Sequence, residues 1–320
     1  MKVALIVLGV IALVALALGF YAANVMFEMM LTRTALRKKK ENKSQRQRTP
    51  EEEAVYQDWH TRREALLAAP HDIWHLTSKD GLKLHARCIP AEKPTDRWAL
   101  CVHGYTATGP NEYAWFFDFY RRLGFNLLLP DNRAHGESEG EYVGMGVLDS
   151  RDIRLWMDEL VRRTDGNCRI VLHGVSMGAA TVTTINGRET PSQVRGVLAD
   201  CGFTSVWDEF AHEMRAMFHL PAFPLLHLAG VVCKLRAGYG LHEFSPLDAV
   251  KQAKKPMLFV HGAQDDFVPT RMGKALYEAC VAEKSLLLVE GAAHAVSYRT
   301  NPQAYEQAAM NFFESIGMGE

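Results

Sequence analysis

The clearest indication of the fold of this chain is the segment Arg169-Ile-Val-Leu-His-Gly-Val-Ser-Met-Gly-Ala-Ala180. Apolar residues lead into Gly174-Val-Ser176-Met-Gly178, and small residues that are compatible with a helix follow. This order predicts a buried strand, a very tight turn and a helix, with the Ser176 hydroxyl pushed out at the carboxyl edge of a sheet. Glycine at 174 and 178 avoids collisions where the strand and helix backbones pass closely. The helix start also offers free backbone N–H groups beside the serine.

Apolar segments on either side of this stretch alternate between strand-like and helix-like patterns. Strands are predicted as an opening hairpin at 73–77 and 82–89, and then at 98–102, 125–129, 194–200, 256–260 and 285–289. Helices are predicted at 111–123, 149–163, 270–281 and 301–316. Such alternation predicts an α/β fold with a mainly parallel central sheet, helices on both faces, and functional loops at the carboxyl ends of the strands.

One segment, residues 203–245, is far longer than a connection between two core strands requires. It is rich in large apolar residues and interrupted by Pro221 and Pro224, which indicates an inserted helical cap. We expect the cap to roof the site at the sheet edge and to bind the acyl part of a substrate. The residues predicted to line this acyl site are Met214, Met217, Phe218 and Phe223. The alternative is that each of them merely packs the cap onto the domain.

The first thirty residues predict a transmembrane anchor. Residues 3–27 include no charged side chain, and this run is long enough for a helix to cross a bilayer. A cleaved signal peptide is the alternative, but its apolar region is usually about 7–15 residues long and ends in a small-residue cleavage site. A basic linker follows at 31–48, and the positive-inside rule predicts that the domain behind it is cytoplasmic.

Residues 49–320 suit one large α/β domain that carries all the predicted catalytic elements. Thr49-Pro50-Glu51-Glu52 predicts the start of a helix with a capping box. A net charge of −1 over 320 residues gives no reason to expect a nucleic-acid partner. The six cysteines are widely spaced and form no C-x-x-C pair, which indicates buried reduced thiols rather than disulfides or a zinc site.

Polar residues after the later strands can activate Ser176. A serine hydroxyl needs a base to take its proton and a third group to hold that base. His294 is the preferred base because it follows the last strand in a loop of small residues. Asp265, at the turn beyond the strand at 256–260, is the preferred acid, ahead of Asp200 and then Asp266. The order serine, aspartate, histidine is the one expected for a site built on this type of turn.

Five sequence elements together resemble those of the α/β-hydrolase superfamily. They are His103-Gly104-Tyr105, Asp131-x-Arg133-x-His135-Gly136-x-Ser138, Gly174-Val-Ser176-Met-Gly178, His261-Gly-x-x-Asp265-x-x-Val268-Pro269 and Gly291-x-x-His294. The match covers roughly residues 73–316. Within it, the motifs are similar to those of bacterial membrane-anchored serine hydrolases, a group of esterases, lysophospholipases and S9/S33-like peptidases.

The resemblance implies roles for particular residues. The catalytic triad that it implies comprises Ser176, Asp265 and His294. It also implies an oxyanion hole formed by the backbone N–H groups of Tyr105 and Met177. His135 is a rival base on another loop of the same edge, but in this superfamily it usually braces the loop rather than reacts. No metal or organic cofactor is implied.

These features predict a serine hydrolase that works by two-step acyl transfer. The apolar cap and the anchor favour a small-molecule carboxylic ester with a hydrophobic or lipid-like acyl part. A peptidase or aminopeptidase of the same fold is one alternative, although it normally needs acidic residues for the substrate's amino terminus, and the sequence does not reveal such a pair. A non-catalytic, membrane-tethered binding module is the other alternative.

Overall fold

The computed structural model describes residues 2–243 and 245–319, which form an eight-stranded sheet with helices on both faces. The strands are β1 (Asp72–Thr77), β2 (Lys83–Ile89), β3 (Arg97–Val102), β4 (Asn126–Pro130), β5 (Arg169–Val175), β6 (Val194–Asp200), β7 (Met257–Gly262) and β8 (Lys284–Val289). Their order across the sheet is β1-β2-β4-β3-β5-β6-β7-β8. The pairs β1/β2 and β2/β4 are antiparallel, and the other pairs are parallel. The predicted mainly parallel sheet with an opening hairpin is thus confirmed.

Helices precede β1, connect the strands from β3 onward and follow β8. In the described chain they are α1 (Lys2–Leu31), α2 (Arg33–Gln45), α3 (Pro50–Ala68), α4 (Gly109–Tyr113), α5 (Phe117–Arg122), α6 (Asp149–Arg163), α7 (Met177–Asn186), α8 (Val206–Phe218), α9 (Leu225–Ala237), α10 (Pro246–Val250), α11 (Thr270–Ala279), α12 (Ser297–Thr300) and α13 (Pro302–Ser315). The single helix predicted at 111–123 is instead two short helices joined by a turn. Tyr113 and Phe116 flank this turn, and both rings pack against His173 in the core.

The sheet separates two apolar cores, because successive side chains of a strand point to opposite faces. Along β3, Ala99 and Cys101 join a core on one face, while Trp98, Leu100 and Val102 join the core on the other. The first core is covered mainly by aromatic residues of α5 and α13, and the second by α6, α7 and α11. All six cysteines are unpaired and buried, as predicted.

A third apolar core joins the cap to the sheet edge and to the N-terminal helix. The cap consists of α8 and α9, which lie in the segment predicted as an insertion. Ala23, Phe27 and Leu31 of α1 are buried in this core together with Leu226 of α9 and Met177 at the start of α7. The C-terminal part of α1 is therefore packed against the cap.

Most of the segment predicted as a basic linker forms the helix α2. The Thr32 side chain accepts the N–H of Ala35 and so caps this helix, and Thr32 also forms a β-bridge with Tyr142. The Arg33 guanidinium donates to the carbonyl oxygens of Gly136 and Ser138. The segment therefore contacts the domain closely. Farther along the chain, α3 begins with the predicted capping box.

Candidate active site

Ser176 lies on the sharp turn between β5 and α7. Its backbone has φ 56° and ψ −117°, a conformation that residues with side chains rarely adopt. Glycines permit the close backbone contacts of this turn. A Cβ on Gly174 would lie 2.2 Å from the carbonyl oxygen of Gly178, and one on Gly178 would lie 1.9 Å from that of Val102. The structure thus has the strained strand–turn–helix that the sequence predicts.

The structure brings Ser176, His294 and Asp265 together in one hydrogen-bonded line. His294 Nε2 lies 2.9 Å from Ser176 Oγ, and His294 Nδ1 lies 2.8 Å from Asp265 Oδ2. The three residues follow β5, β8 and β7, whose carboxyl ends meet at one edge of the sheet. Their distances are those that allow a serine, a general base and an orienting acid to act together.

The environment of Asp265 favours the ionised carboxylate. Burial alone would raise the pKa of Asp265, but hydrogen bonds from His261 and His294 outweigh burial and lower this pKa to about 2. Its Oδ1 also accepts the backbone N–H groups of Phe267 at 3.1 Å and Val268 at 2.9 Å. An ionised Asp265 holds the proton of His294 on Nδ1 and leaves Nε2 free to accept the serine proton.

In the described part of the chain, neither of the two rival aspartates forms a hydrogen bond or ion pair with His294 through its side chain, although Asp200 interacts with it electrostatically. Asp200 ends β6 and is fully buried; burial raises its pKa to about 7, against the effect of a hydrogen bond with Tyr305. Asp266 is exposed, and its backbone carbonyl lies 2.8 Å from His212 Nε2. The geometry therefore favours Asp265 as the acid.

His135 contacts the loop after β3 and forms no hydrogen bond with Ser176. Its Nδ1 lies 2.8 Å from the Arg133 carbonyl oxygen, and its Nε2 contacts the Tyr105 carbonyl oxygen. Its ring packs against that of His103, with centroids 5.0 Å apart. Both ring nitrogens thus face backbone carbonyl oxygens and not Ser176, which suits a structural role.

The two predicted oxyanion donors lie on the two segments that flank Ser176. Met177 is the first residue of α7, where helix geometry leaves the N–H without an intrahelical acceptor. Tyr105 follows Gly104, and a Cβ on Gly104 would lie 3.4 Å from the Cβ of Ser176. The loop after β3 therefore passes directly beside the serine.

The N-terminal segments reach this same loop. The Tyr105 hydroxyl donates to the carbonyl oxygen of Met30 near the end of α1. Lys39 Nζ of α2 lies 3.1 Å from the Tyr105 hydroxyl and 4.7 Å from the centre of its ring. These contacts link the predicted anchor and linker to a residue whose backbone borders the site, a connection that sequence reasoning did not reveal.

The cap residues that were predicted to line an acyl site occupy two different environments. Met214 is buried in the core between the cap and the domain. Met217, Phe218 and Phe223 are 63%, 50% and 72% exposed. Residues 215–221 are all exposed, so the exposed stretch begins in the last turn of α8 and continues past His219, which has a positive φ. Met217, Phe218 and Phe223 thus lie at the outer surface of the cap, and a role for them in binding an acyl group stays a prediction.

Two acidic residues of α8, Glu209 and Glu213, were missed in the sequence. Both are buried, one helical turn apart, and neither oxygen of Glu209 has a hydrogen-bond partner among the described residues. Burial raises the pKa of Glu209 to about 9, and the charges of Glu213 and Asp265 add to this effect. Burial also raises the pKa of Glu213, which interacts electrostatically with His294. Their i, i+4 spacing among apolar residues was the available signal.

Potential metal ligands also occur at the site. The thiol of Cys201 lies with Asp265 and His294 in a group whose ligand atoms are all within 4.8 Å of one another. Both ring nitrogens of His294 already lie within hydrogen-bond distance of Ser176 and Asp265. Burial raises the pKa of Cys201 well above its ordinary value, which keeps the thiol protonated. The group therefore fits hydrogen-bonded residues better than a metal centre.

A family model described as the alpha/beta hydrolase family matches residues 99–308, most of the sheet and all three residues of the candidate triad. This chain belongs to the alpha/beta hydrolase family. The match agrees with the observed sheet and with the fold predicted from the sequence.

Relatives of this alpha/beta hydrolase include proteins with and without a described activity. It is 32% identical to the uncharacterized protein YqkD of Bacillus subtilis over 226 residues, which are 71% of this chain and 74% of that protein. It is 24% identical to the lysophosphatidylserine lipase ABHD12 of Xenopus tropicalis over 74% of this chain and 58% of the lipase.

Solved structures share the fold of this alpha/beta hydrolase. The esterase Pf2001 of Pyrococcus furiosus aligns with a TM-score of 0.65 and 22% identity, over 78% of this chain and 93% of the esterase. The acylaminoacyl peptidase of Pyrococcus horikoshii aligns with a TM-score of 0.57 and 18% identity, over 77% of this chain and 41% of the peptidase. At these identities the likeness shows the fold alone.

Proposed function

We propose that this alpha/beta hydrolase is a serine hydrolase that cleaves carboxylic esters with a hydrophobic acyl part. Ser176 is the nucleophile, His294 the general base and Asp265 the orienting acid. The observation that carries this proposal is the hydrogen-bonded line from Asp265 Oδ2 through both ring nitrogens of His294 to Ser176 Oγ. A binding module would not need a serine on a strained turn beside a base.

The reaction proceeds in two acyl-transfer steps. Ser176 Oγ attacks the ester carbonyl carbon while His294 Nε2 takes the hydroxyl proton, and this proton then goes to the leaving alcohol. The N–H groups of Tyr105 and Met177 stabilise the oxyanion, and losing one such donor typically costs about 10²–10³ in turnover. Water, deprotonated by the same Nε2, then attacks the acyl-enzyme, and the carboxylic acid leaves with Ser176 restored.

A lipid-like substrate is supported by two observations. One relative is named as a lysophosphatidylserine lipase. The N-terminal helix α1 is 30 residues long and apolar enough to cross a membrane, and its C-terminal part packs on the cap above the candidate triad. A hydrolase held at a bilayer in this way has its site close to amphiphilic esters.

The helix α1 acts in this proposal as a retained transmembrane anchor, with the domain on the cytoplasmic side. Ala23, Phe27 and Leu31 are buried against the cap, so that removal of α1 as a signal peptide would expose an apolar face of the domain. The basic residues of α2 follow directly after the span, which is the position that the positive-inside rule associates with the cytoplasm.

Aminopeptidase activity is a second candidate, and one observation favours it. The buried pair Glu209 and Glu213 interacts electrostatically with Asp265 and His294, respectively, and thus lies near the candidate triad. A positively charged amino group of a substrate would offset the cost of ionising these buried carboxyls.

Labelling with a fluorophosphonate probe tests whether Ser176 is activated. We expect the full-length protein to be labelled, Ser176→Ala to lose labelling, and Ser192→Ala, which changes an exposed serine, to retain it. The absence of labelling in the unmodified protein would favour the binding module. Hydrolysis of p-nitrophenyl esters of increasing chain length, compared with aminoacyl amides, then separates an esterase from an aminopeptidase. Glu213→Gln should reduce only amide turnover if the acidic pair binds an amino group.

A further inference from the structure

The outer surface of the cap exposes an unusual number of large apolar side chains. They are Met217, Phe218, Leu220 and Phe223 in the segment 217–224, and Val231 and Leu235 on α9. The segment 217–224 contains no aspartate, glutamate, lysine or arginine. An apolar surface of this kind in a soluble environment would favour aggregation, so it indicates a partner that covers it.

The position of α9 relative to α1 identifies where this surface lies. A Cβ on Gly19 would lie 2.7 Å from Leu228 Cδ1 near the start of α9. Near the end of α9, Arg236 donates to Asn24 at 2.9 Å and also pairs with Glu28. The two helices therefore run side by side in the same direction, and the start of α9 lies alongside the more N-terminal, more apolar part of α1.

The part of α1 that the cap does not cover is too short to cross a bilayer by itself. Residues 3–18 are exposed, and contact with the cap begins at Gly19. These sixteen residues, at about 1.5 Å each, extend about 24 Å, whereas a hydrocarbon core is about 30 Å thick. The missing ~6 Å corresponds to about four more residues of α1, at the level where Leu228 packs. A bilayer whose hydrocarbon core surrounds residues 3–22 of α1 therefore also reaches the start of α9.

We propose that the cap surface formed by residues 217–228 is immersed in the same membrane leaflet that α1 enters. The partner is a phospholipid bilayer, and the proposal rests on the proposed role of α1 as a transmembrane anchor. The expected depth of about 6 Å lies within the ~5–10 Å at which interfacial helices place their apolar faces. Phe223, just before α9 begins, lies at the deep end of this surface.

The charged residues near this surface agree with such a placement. Arg236 and Glu28 form an ion pair at the opposite end of α9 from Phe223, at the level where the uncharged part of α1 ends. Arg37, Lys38 and Lys39 of α2 follow directly, in the region expected for anionic lipid headgroups. The cap thus presents its apolar end to the hydrocarbon and its charged end to the membrane surface.

A depth measurement with full-length protein in phosphatidylcholine nanodiscs tests this proposal. Single cysteines at Phe223→Cys, Val14→Cys and Val281→Cys would carry an environment-sensitive nitrobenzoxadiazole label. Val281 is a suitable control because it is 66% exposed, close to the 72% of Phe223, and lies in the connection between α11 and β8. The six native cysteines are buried. Quenching is measured with spin-labelled lipid and with aqueous iodide.

We expect the label at position 223 to be quenched by spin-labelled lipid and protected from iodide, as at position 14, while position 281 shows the reverse. Quenching of position 223 by iodide, with position 14 still quenched by lipid, would overturn the cap proposal and leave the anchor intact. Protection of position 223 from both quenchers would also overturn it and would indicate a protein partner. If position 14 is quenched by iodide, the anchor itself is wrong.

Discussion

The carboxylate of Asp265 holds His294 with one oxygen and the backbone with the other. Oδ2 lies 2.8 Å from His294 Nδ1, while Oδ1 accepts the N–H groups of Phe267 and Val268. This arrangement fixes the carboxylate relative to β7 and so fixes the imidazole that faces Ser176. Activity should therefore fall when the carboxylate of Asp265 is replaced by an amide of the same size, because the amide can donate a hydrogen bond where the carboxylate only accepts.

We predict that Asp265→Asn lowers ester turnover by on the order of 10⁴. An amide that donates toward Nδ1 favours the tautomer with its proton on Nε2, which cannot accept the proton of Ser176. Initial rates on a short-chain ester measure the effect. Asp266→Asn is the matched control, because Asp266 is the exposed neighbour, and it should have little effect. A greater loss in Asp200→Asn than in Asp265→Asn would move the acid to β6.

We predict that Glu209→Gln raises the thermal stability of the protein at neutral and alkaline pH. The pKa of Glu209 is raised by burial from 4.5 to about 9, so the folded state binds this proton more tightly than the unfolded state. The stability contributed by the bound proton is complete below pH 4.5 and is lost progressively as pH rises toward 9. Glutamine resembles the protonated acid and does not titrate.

The measurement is the thermal midpoint of the detergent-solubilised full-length protein between pH 5 and 9. The difference between Glu209→Gln and the unmodified protein should grow with pH and exceed about 2 °C at the alkaline end. Glu189→Gln, which changes an exposed carboxyl, should show no such trend. A pH-independent difference would mean that Glu209 is not held in its protonated form.

We predict opposite behaviour for two cap residues that the sequence grouped together. Met214 is 3% exposed in the core beneath the cap, so Met214→Ala should lower the free energy of unfolding by about 2–5 kcal/mol. Phe223 is 72% exposed, so Phe223→Ala should leave that quantity nearly unchanged in detergent. Thermal unfolding measures both. Equal losses in the two variants would show that Phe223 packs against the domain.

We predict that Phe27→Ala destabilises the cap. The Phe27 side chain is 2% exposed, its ring lies 5.3 Å from that of Tyr142, and the Arg236 guanidinium lies 4.7 Å from its centre. Replacing this side chain by alanine should lower the free energy of unfolding by about 3–5 kcal/mol. Limited proteolysis and thermal unfolding of the full-length protein measure this, with Val14→Ala on the exposed part of α1 as the control. Equal behaviour of the two variants would show that α1 does not dock on the cap.

The same contacts change what is expected of a truncated protein. The sequence suggested that residues 49–320 carry everything the catalytic domain needs. In the structure, Ala23 and Leu31 complete the core of the cap, and Met30 and Lys39 contact Tyr105. A protein that begins at Thr49 would expose these surfaces. We therefore expect it to be less stable than the full-length protein, even though the sheet and the three residues of the candidate triad remain.

The sheet, the turn at Ser176 and the positions of the candidate catalytic residues could be predicted from the amino-acid sequence. These features depend on local patterns: apolar runs that form buried strands, glycines at 174 and 178, and polar residues directly after strands. In a parallel sheet such residues must meet at one edge, whatever the rest of the chain does. Asp265 was preferred because it lies at the turn beyond the strand at 256–260. Asp200 also ends a parallel strand at this edge, so the choice between them depends on the hydrogen bond of Asp265 to His294, which is visible only in the structure.

The packing of the cap and of the N-terminal helix could not be predicted from the sequence. Apolar composition predicts that Met214 and Phe223 are covered, but composition does not say whether protein or another phase covers them. Phe223 is exposed while its neighbour Ala222 packs against the core, and the packing of α9 along α1 places Phe223 beside the span. The burial of Glu209 and Glu213 could not be predicted from the sequence for the same reason. Burial of a side chain depends on which element lies above it, and the neighbours of a cap come from distant parts of the chain.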